Sequence, residues 1–137
     1  MTRGALEALA HRWMRFWQGG SLEDFESVHA EGFTDRSAGA RSSGRDGFKQ
    51  GVVALYRAFP DFWATTQLVV ADEAQSLVAL RWSATGHHHG RFFDIAATGR
   101  QIAFKGIEII RARDGLIVER WGEWDEGAIL DQLRAAD

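Results

Sequence analysis

The chain has no cysteine among its 137 residues, which excludes disulfides, thiolate metal sites and a cysteine nucleophile together. Proline occurs once, and beside fifteen glycines this speaks for turns rather than disorder. No cluster of Lys or Arg stands out, and a net charge of −3 leaves no electrostatic footprint for nucleic acid. Long apolar runs are missing too. The opening MTRGALEALAHRWMRFW lacks the continuous stretch of a signal peptide, and nothing is expected to span a membrane. A cytoplasmic protein is the expectation. No Gly-x-Ser-x-Gly elbow, P-loop or dinucleotide fingerprint is present. His87-His88-His89 supplies at most half of a tetrahedral site, with Asp94 the nearest further ligand, so neither metal nor cofactor is expected.

What remains is a chain of ordinary apolar content, 45%, with six tryptophans and nine phenylalanines. That much aromatic surface at this length suits one domain, residues 1–137, built around a cavity. Leu6, Leu9, Trp13, Phe16 and Trp17 recur at helical spacing, predicting a helix over 3–18 capped by Thr2 and stopped by Gly19-Gly20. Ser21 with Asp24 opens a short second helix, with Leu22 and Phe25 inward. Phe33-Thr34-Asp35 reads as a short strand. Ser43 with Asp46 opens a third helix, whose stripe of Phe48, Val52, Leu55 and Phe59 ends at Pro60. Strands follow at 62–72, 76–86, 103–111 and 116–124, with an irregular excursion over 87–100. Asp125 caps a closing helix bearing Ile129, Leu130 and Leu133. Helices first and a meander of strands after them is the α+β pattern, with helices packed on one face of an antiparallel sheet.

The stretch FKGIEIIRARDGLIVERWGEWD, residues 104–125, carries the sharpest chemistry. A three-residue loop, Arg113-Asp114-Gly115, sets Glu108 opposite Arg120, Gly106 opposite Gly122 and Phe104 opposite Trp124. A two-residue Asp-Gly turn sets Glu108 against Trp121 and Gly106 against Glu123. The longer loop pairs opposite charges, and is preferred for that reason. A carboxylate in an apolar hollow has a raised pKa, useful to a general acid or base. Arg120 holds such a carboxylate ionised or orients an anionic oxygen. The same two residues also serve as a plain cross-strand pin. Asp35 is a second acid to weigh, against an ordinary turn Asp with Arg36 or Arg41 as surface partner. Trp17, Trp82, Phe104 and Trp124 are candidates for an aromatic wall, with Trp82 and Trp124 foremost. His29 is expected to end a helix, as an imidazolium on the C-terminal dipole. Glu123 is expected to pair with Lys105, and Asp125 to act as a cap rather than reach the pocket.

Several stretches resemble the SnoaL-like polyketide cyclase group of the nuclear transport factor 2-like superfamily. They are TGHHHGRFFDIAATGRQIAFKGIEIIR, DGLIVERWGEWD, the DQL of the last helix, Phe33-x-Asp35 and GRDGFKQGVVALYRAFPD. The resemblance implies a curved sheet wrapped round helices into a cone with an open pocket, and a homodimer formed through the sheet. It implies that the face bearing Glu108 and Arg120 points inward, that Asp35 stands at the pocket mouth, and that His88 is a hydrogen-bonding group at its rim. Cyclising members carry an acid on the last strand and a histidine on the strand before. Those positions fall here on Gly122 and Glu108, so aldol cyclisation does not carry over residue by residue. The expected function is a cofactor-free enzyme acting next to the carbonyl of a small hydrophobic molecule. The alternatives are a non-catalytic binding or dimerisation module, and water addition as in the superfamily's epoxide hydrolases, which set an Asp-Arg-Asp arrangement around a water.

Overall fold

Thr2 opens the first helix as expected, its hydroxyl accepting from the amide of Ala5, and α1 runs over Arg3–Met14. In the computed structural model, which describes residues 1–19 and 21–135, the last turn tightens into a 3-10 segment over Arg15–Trp17. Gly19 ends it at a φ of +107°, open to glycine and strained for other residues. Gly20, expected to share in that stop, lies outside the described residues. Helix α2 is only Phe25–Val28, opening at Asp24 rather than at Ser21, and Asp24 makes no side-chain cap there. Strand β1 is longer than expected, His29–Asp35. Helix α3, Arg45–Ala58, buries Phe48, Val52 and Leu55 on its inner stripe. Phe59 follows it fully buried, and Pro60 prevents its continuation.

Strands β2 (Trp63–Asp72), β3 (Leu77–His87), β4 (Gln101–Arg113) and β5 (Leu116–Trp124) form an antiparallel meander. The sheet order is β1-β5-β4-β3-β2, and β1 joins β5 in parallel. The sheet is therefore mixed where a wholly antiparallel one was expected. Nothing local fixes the direction of β1, since no tight turn joins it to the strand beside it. Helix α4, Glu126–Leu133, starts from Asp125, whose carboxylate accepts from the Ala128 amide at 3.0 Å. Segment 88–100 forms no edge strand beyond one bridge, Phe92 to Ile95.

The hairpin turn differs from the preferred reading. Arg113 faces Leu116 across a two-residue turn in which Asp114 and Gly115 both have positive φ, 52° and 82°. This primed geometry matches the right-handed twist of the strands it joins. A bulge then follows, because Arg111 faces Glu119 while Ala112 faces Ile117, leaving Val118 unpaired. The extra residue restores the face on which Glu108 and Arg120 both lie. It also shifts the partners by one pair: Glu108 faces Gly122, and Gly106 faces Trp124. Glu123 accordingly faces Ile107, not Lys105.

One face of the sheet closes on the helices. Leu6, Trp13, Phe25, Phe48, Leu80, Ile110 and Ile129 all lie in this core, and each large apolar side chain buried there contributes roughly 1.5–3 kcal/mol. The other face leaves Leu68, Val70, Ile107 and Ile109 exposed. Among the described residues, no helix is long and apolar enough to cross a membrane.

Candidate functional site

Rows across the sheet decide which side chains meet on the inner face. Leu80, Glu108 and Gly122 form one row, and Trp82, Gly106 and Trp124 the next. A third runs Val78, Ile110, Arg120 and Asp35, the last through the parallel β1–β5 pairing. Two glycines make room in this array. A Cβ on Gly106 would run into the Trp82 ring, and one on Gly122 into Glu108 Oε2 and Arg120 Nη2. Gly122 is thus the seat of the ion pair, which explains how Glu108 and Arg120 meet diagonally rather than face to face.

Arg120 is a two-sided fork. Its Nη2 donates to Glu108 Oε1 at 2.8 Å and Oε2 at 3.1 Å. Its Nη1 donates to Asp35 Oδ1 at 3.1 Å and Oδ2 at 3.2 Å. Asp35 also accepts from the Ser37 amide and pairs with Arg41. Ser37 in turn accepts from the Gly122 amide at 3.0 Å. Charge-assisted bonds of this kind are stronger than neutral ones, and each carboxylate here takes one guanidinium nitrogen between its two oxygens. The guanidinium carbons of Arg120 and Arg41 stand 5.0 and 5.5 Å from the centre of the Phe48 ring.

Burial pushes the Glu108 carboxyl up to about 7, against the pull of Arg120, with Asp35 and Glu123 adding to the rise. Burial opposes the charge of Arg120, but Glu108 and Asp35 outweigh it and hold that guanidinium above its ordinary value. The pair therefore places a proton-exchanging carboxyl beside a fixed cation.

Glu108 and Arg120 line a cavity of about 300 Å³, adjoined by a pouch of about 40 Å³. Trp17, Trp82 and Trp124 line both. The cavity wall is aromatic as expected, while one side is charged, with Arg41, Glu123 and Glu126 also on it. Asp35 is not a mouth residue. It is 2% exposed, absent from the lining, and holds Arg120 from behind, because the parallel pairing puts it next to Arg120. Phe104 does not line the cavity either. It packs edge-on against Trp82 and Trp124, each at 5.6 Å, and so supports the wall.

His88 departs furthest from its expected place at the rim. It is fully buried against Phe59, and its Nδ1 accepts from the Thr98 amide at 3.1 Å. Its role is to fasten the 88–100 segment, together with backbone bonds from His88 to Arg100 and from Gly99 to His88. His87 and His89 stack at 5.8 Å, and His87 Nδ1 lies 2.6 Å from Asp61. Among the described residues, no group of three or more His, Asp or Glu could hold a metal ion. His29 is not an imidazolium. Burial lowers its pKa to about 4, and as a neutral ring it donates from Nδ1 to the Phe25 carbonyl and accepts from Trp13 at Nε2.

Sequence reasoning missed Ser37, Arg41, Phe93 and Glu126 on the cavity wall. Only Arg41 left a trace, in the glycines of α3. A Cβ on Gly51 would lie 2.9 Å from Arg41 Nε, so the helix is cut away where that arginine crosses it.

The sequence profile of the SnoaL-like polyketide cyclase family matches residues 7–133. Among curated proteins there is no match. Solved structures resemble the chain along nearly its whole length. TsrD from Streptomyces laurentii is 20% identical with a TM-score of 0.88, covering 99% of each chain. IdmH from Streptomyces antibioticus, a proposed polyketide cyclase, is 27% identical with a TM-score of 0.82, covering 95% of this chain and 99% of its own. A SnoaL-like polyketide cyclase from Agrobacterium tumefaciens is 18% identical with a TM-score of 0.78, covering 97% and 99%. The chain belongs to the SnoaL-like polyketide cyclase family.

Proposed function

We propose that this SnoaL-like chain is an enzyme that moves a proton next to the carbonyl of a small hydrophobic molecule, with Glu108 as the proton-transfer group. The observation that carries the reading is a carboxyl 5% exposed, raised to about 7, and opening on an aromatic-walled cavity. In the forward step Glu108, ionised, takes a proton from the carbon beside the carbonyl. The C–H electron pair becomes the new C=C bond, and the carbonyl π pair moves onto oxygen. Arg120 stabilises that enolate oxygen by charge and hydrogen bonding. The enolate carbon then takes the proton back, or, where a neighbouring C=C bond extends the enolate to a dienolate, the proton returns at its far carbon and the double bond shifts. Alternatively the enolate carbon attacks a second carbonyl while Glu108 returns the proton to the new alkoxide. Asp35 positions Arg120 and takes no direct part. Trp17, Trp82 and Trp124 hold the apolar body of the substrate.

The test is deuterium exchange at the α-carbon of small aryl ketones, followed by NMR, in the wild type and in Glu108→Gln. The reading expects exchange in the first and its loss in the second, with ligand affinity kept. Equal exchange in both, or none in either while ligand still binds, leaves the binding-module reading in its place. A second reading, water addition to an epoxide, draws support from one observation: Arg120 is forked between two carboxylates, Asp35 and Glu108. Oxygen-18 incorporation from water into a diol product separates the two chemistries.

We propose further that the chain forms a homodimer through its sheet. The outer sheet face, with Leu68, Val70, Ile107 and Ile109 exposed, is covered by a second copy. Sedimentation of the wild type as a dimer and of Ile107→Lys as a monomer is expected. A wild type that sediments as a monomer at micromolar concentration rejects it.

A further inference from the structure

Two guanidinium groups, not one, stand on the charged side of the cavity. Arg41 and Arg120 both line it, and both stack on the ring of Phe48. They share a single carboxylate, Asp35, whose side chain is wholly buried and absent from the lining. Each keeps a buried nitrogen without a hydrogen-bond partner among the described residues, Nη1 of Arg41 and Nε of Arg120. A buried donor of a charged group left unmatched is costly, so such donors are normally satisfied. Ser37 adds a hydroxyl on the same wall.

We propose that Arg41 and Arg120 together form an anion-binding site at the charged side of the cavity, and that the ligand is a hydrophobic carbonyl compound bearing a carboxylate. This rests on the reading of Glu108 and Arg120 as the reacting pair. The charge count favours it. Two guanidinium groups face Asp35 and Glu108, and whenever Glu108 holds a proton the four groups carry one uncompensated positive charge. An anion there completes the set, and it keeps Glu108 protonated as a general acid once the carbanion has formed. Glu123 and Glu126 also border the cavity, but both are exposed, where water and salt weaken their field. Arg41 is held for the task on three sides, by Asp35, by Phe48 and by the notch at Gly51. Its planar fork matches a carboxylate in a way lysine does not.

The experiment is titration of the protein with 1-naphthoate and with its neutral counterpart 1-naphthamide, read by calorimetry and by quenching of the cavity tryptophans. The wild type is expected to bind the carboxylate about tenfold or more tightly than the amide, and to lose that margin in Arg41→Gln while the amide affinity holds. The wild-type ratio decides by itself should Arg41→Gln fail to fold. Equal affinities in the wild type, a margin that survives Arg41→Gln, or binding of neither probe at millimolar concentration overturns the inference. Those results leave the deuterium-exchange test of Glu108 on neutral ketones untouched, so the two readings fail separately.

Discussion

Phe48 touches two clusters of buried ionisable groups that differ in kind. On one side His29 lies among Phe16, Phe25, Phe33 and Phe48, with ring centres 4.1 to 5.9 Å away. Each of its nitrogens has one partner, the Phe25 carbonyl at 2.8 Å and the Trp13 indole at 3.0 Å. No capacity is left over. On the other side Glu108, Arg120, Asp35 and Arg41 form a network bordering a cavity, with two guanidinium nitrogens unmatched among the described residues. The first cluster is closed and behaves as a polar pin in the core. The second is incomplete by construction. Burial raises the acid in one and lowers the base in the other, so a shifted pKa alone does not tell a pin from a reacting group. The open cavity wall does.

Four changes press on that contrast. Glu108→Gln should cost the most, about 10²- to 10⁴-fold in exchange rate, the usual contribution of a general acid or base. His29→Gln should leave the rate per folded molecule near that of the wild type, and a comparable loss in both variants would erase the distinction. Gly122→Ala forces a methyl into Glu108 and Arg120. It should destabilise by roughly 1–3 kcal/mol, as overpacking does, and reduce exchange with it; urea midpoints and exchange rates measured together check this. His29→Leu strands the buried Trp13 N–H, at a cost of about 1–3 kcal/mol, seen as a lower thermal midpoint without loss of specific activity.

The smallest effect is in the pH dependence of stability, where the two clusters work in opposite directions. Glu108 rises from 4.5 to about 7 on folding, so its contribution is full below 4.5 and lost as pH climbs through 7. His29 falls from 6.5 to about 4, so its contribution is present above 6.5 and lost as pH drops through 4. Between 4.5 and 6.5 the two slopes oppose each other and the wild type should be nearly flat. Glu108→Gln should then gain stability with rising pH, and His29→Leu should lose it. Urea titrations at half-unit steps show the slopes, and parallel profiles in the two variants would contradict the assignment of either shift.

Much of this was legible in the chain. The helical stripe from Leu6 to Trp17, the alternation along β3 and the cap at Asp125 are local patterns with a short-range cause, and each formed where expected. The Glu108–Arg120 pair was legible too, although the turn proposed for it was wrong. Two departures restored the face but not the partners: the turn is one residue shorter, and the bulge at Val118 moves the register by one more, so Glu108 faces Gly122 and meets Arg120 diagonally. His88 was misplaced because the resemblance carries a residue type to a position but not the direction in which its ring points. Arg41 was legible as a partner of Asp35 but not as a cavity residue, because its platform Phe48 and its notch at Gly51 lie on α3 while Asp35 lies on β1.

The sequence by itself settled the element types, the inner face of the hairpin and the family, since these depend on period, turn residues and side-chain volume within short reach. Tertiary structure alone brought β1 alongside β5, and with it Asp35 to Arg120 across 85 residues of chain. It also turned the seat at Gly122 into room for an ion pair. Those outcomes are contacts between segments that no local rule relates, decided only when the sheet closes on its helices and excludes water from the space between.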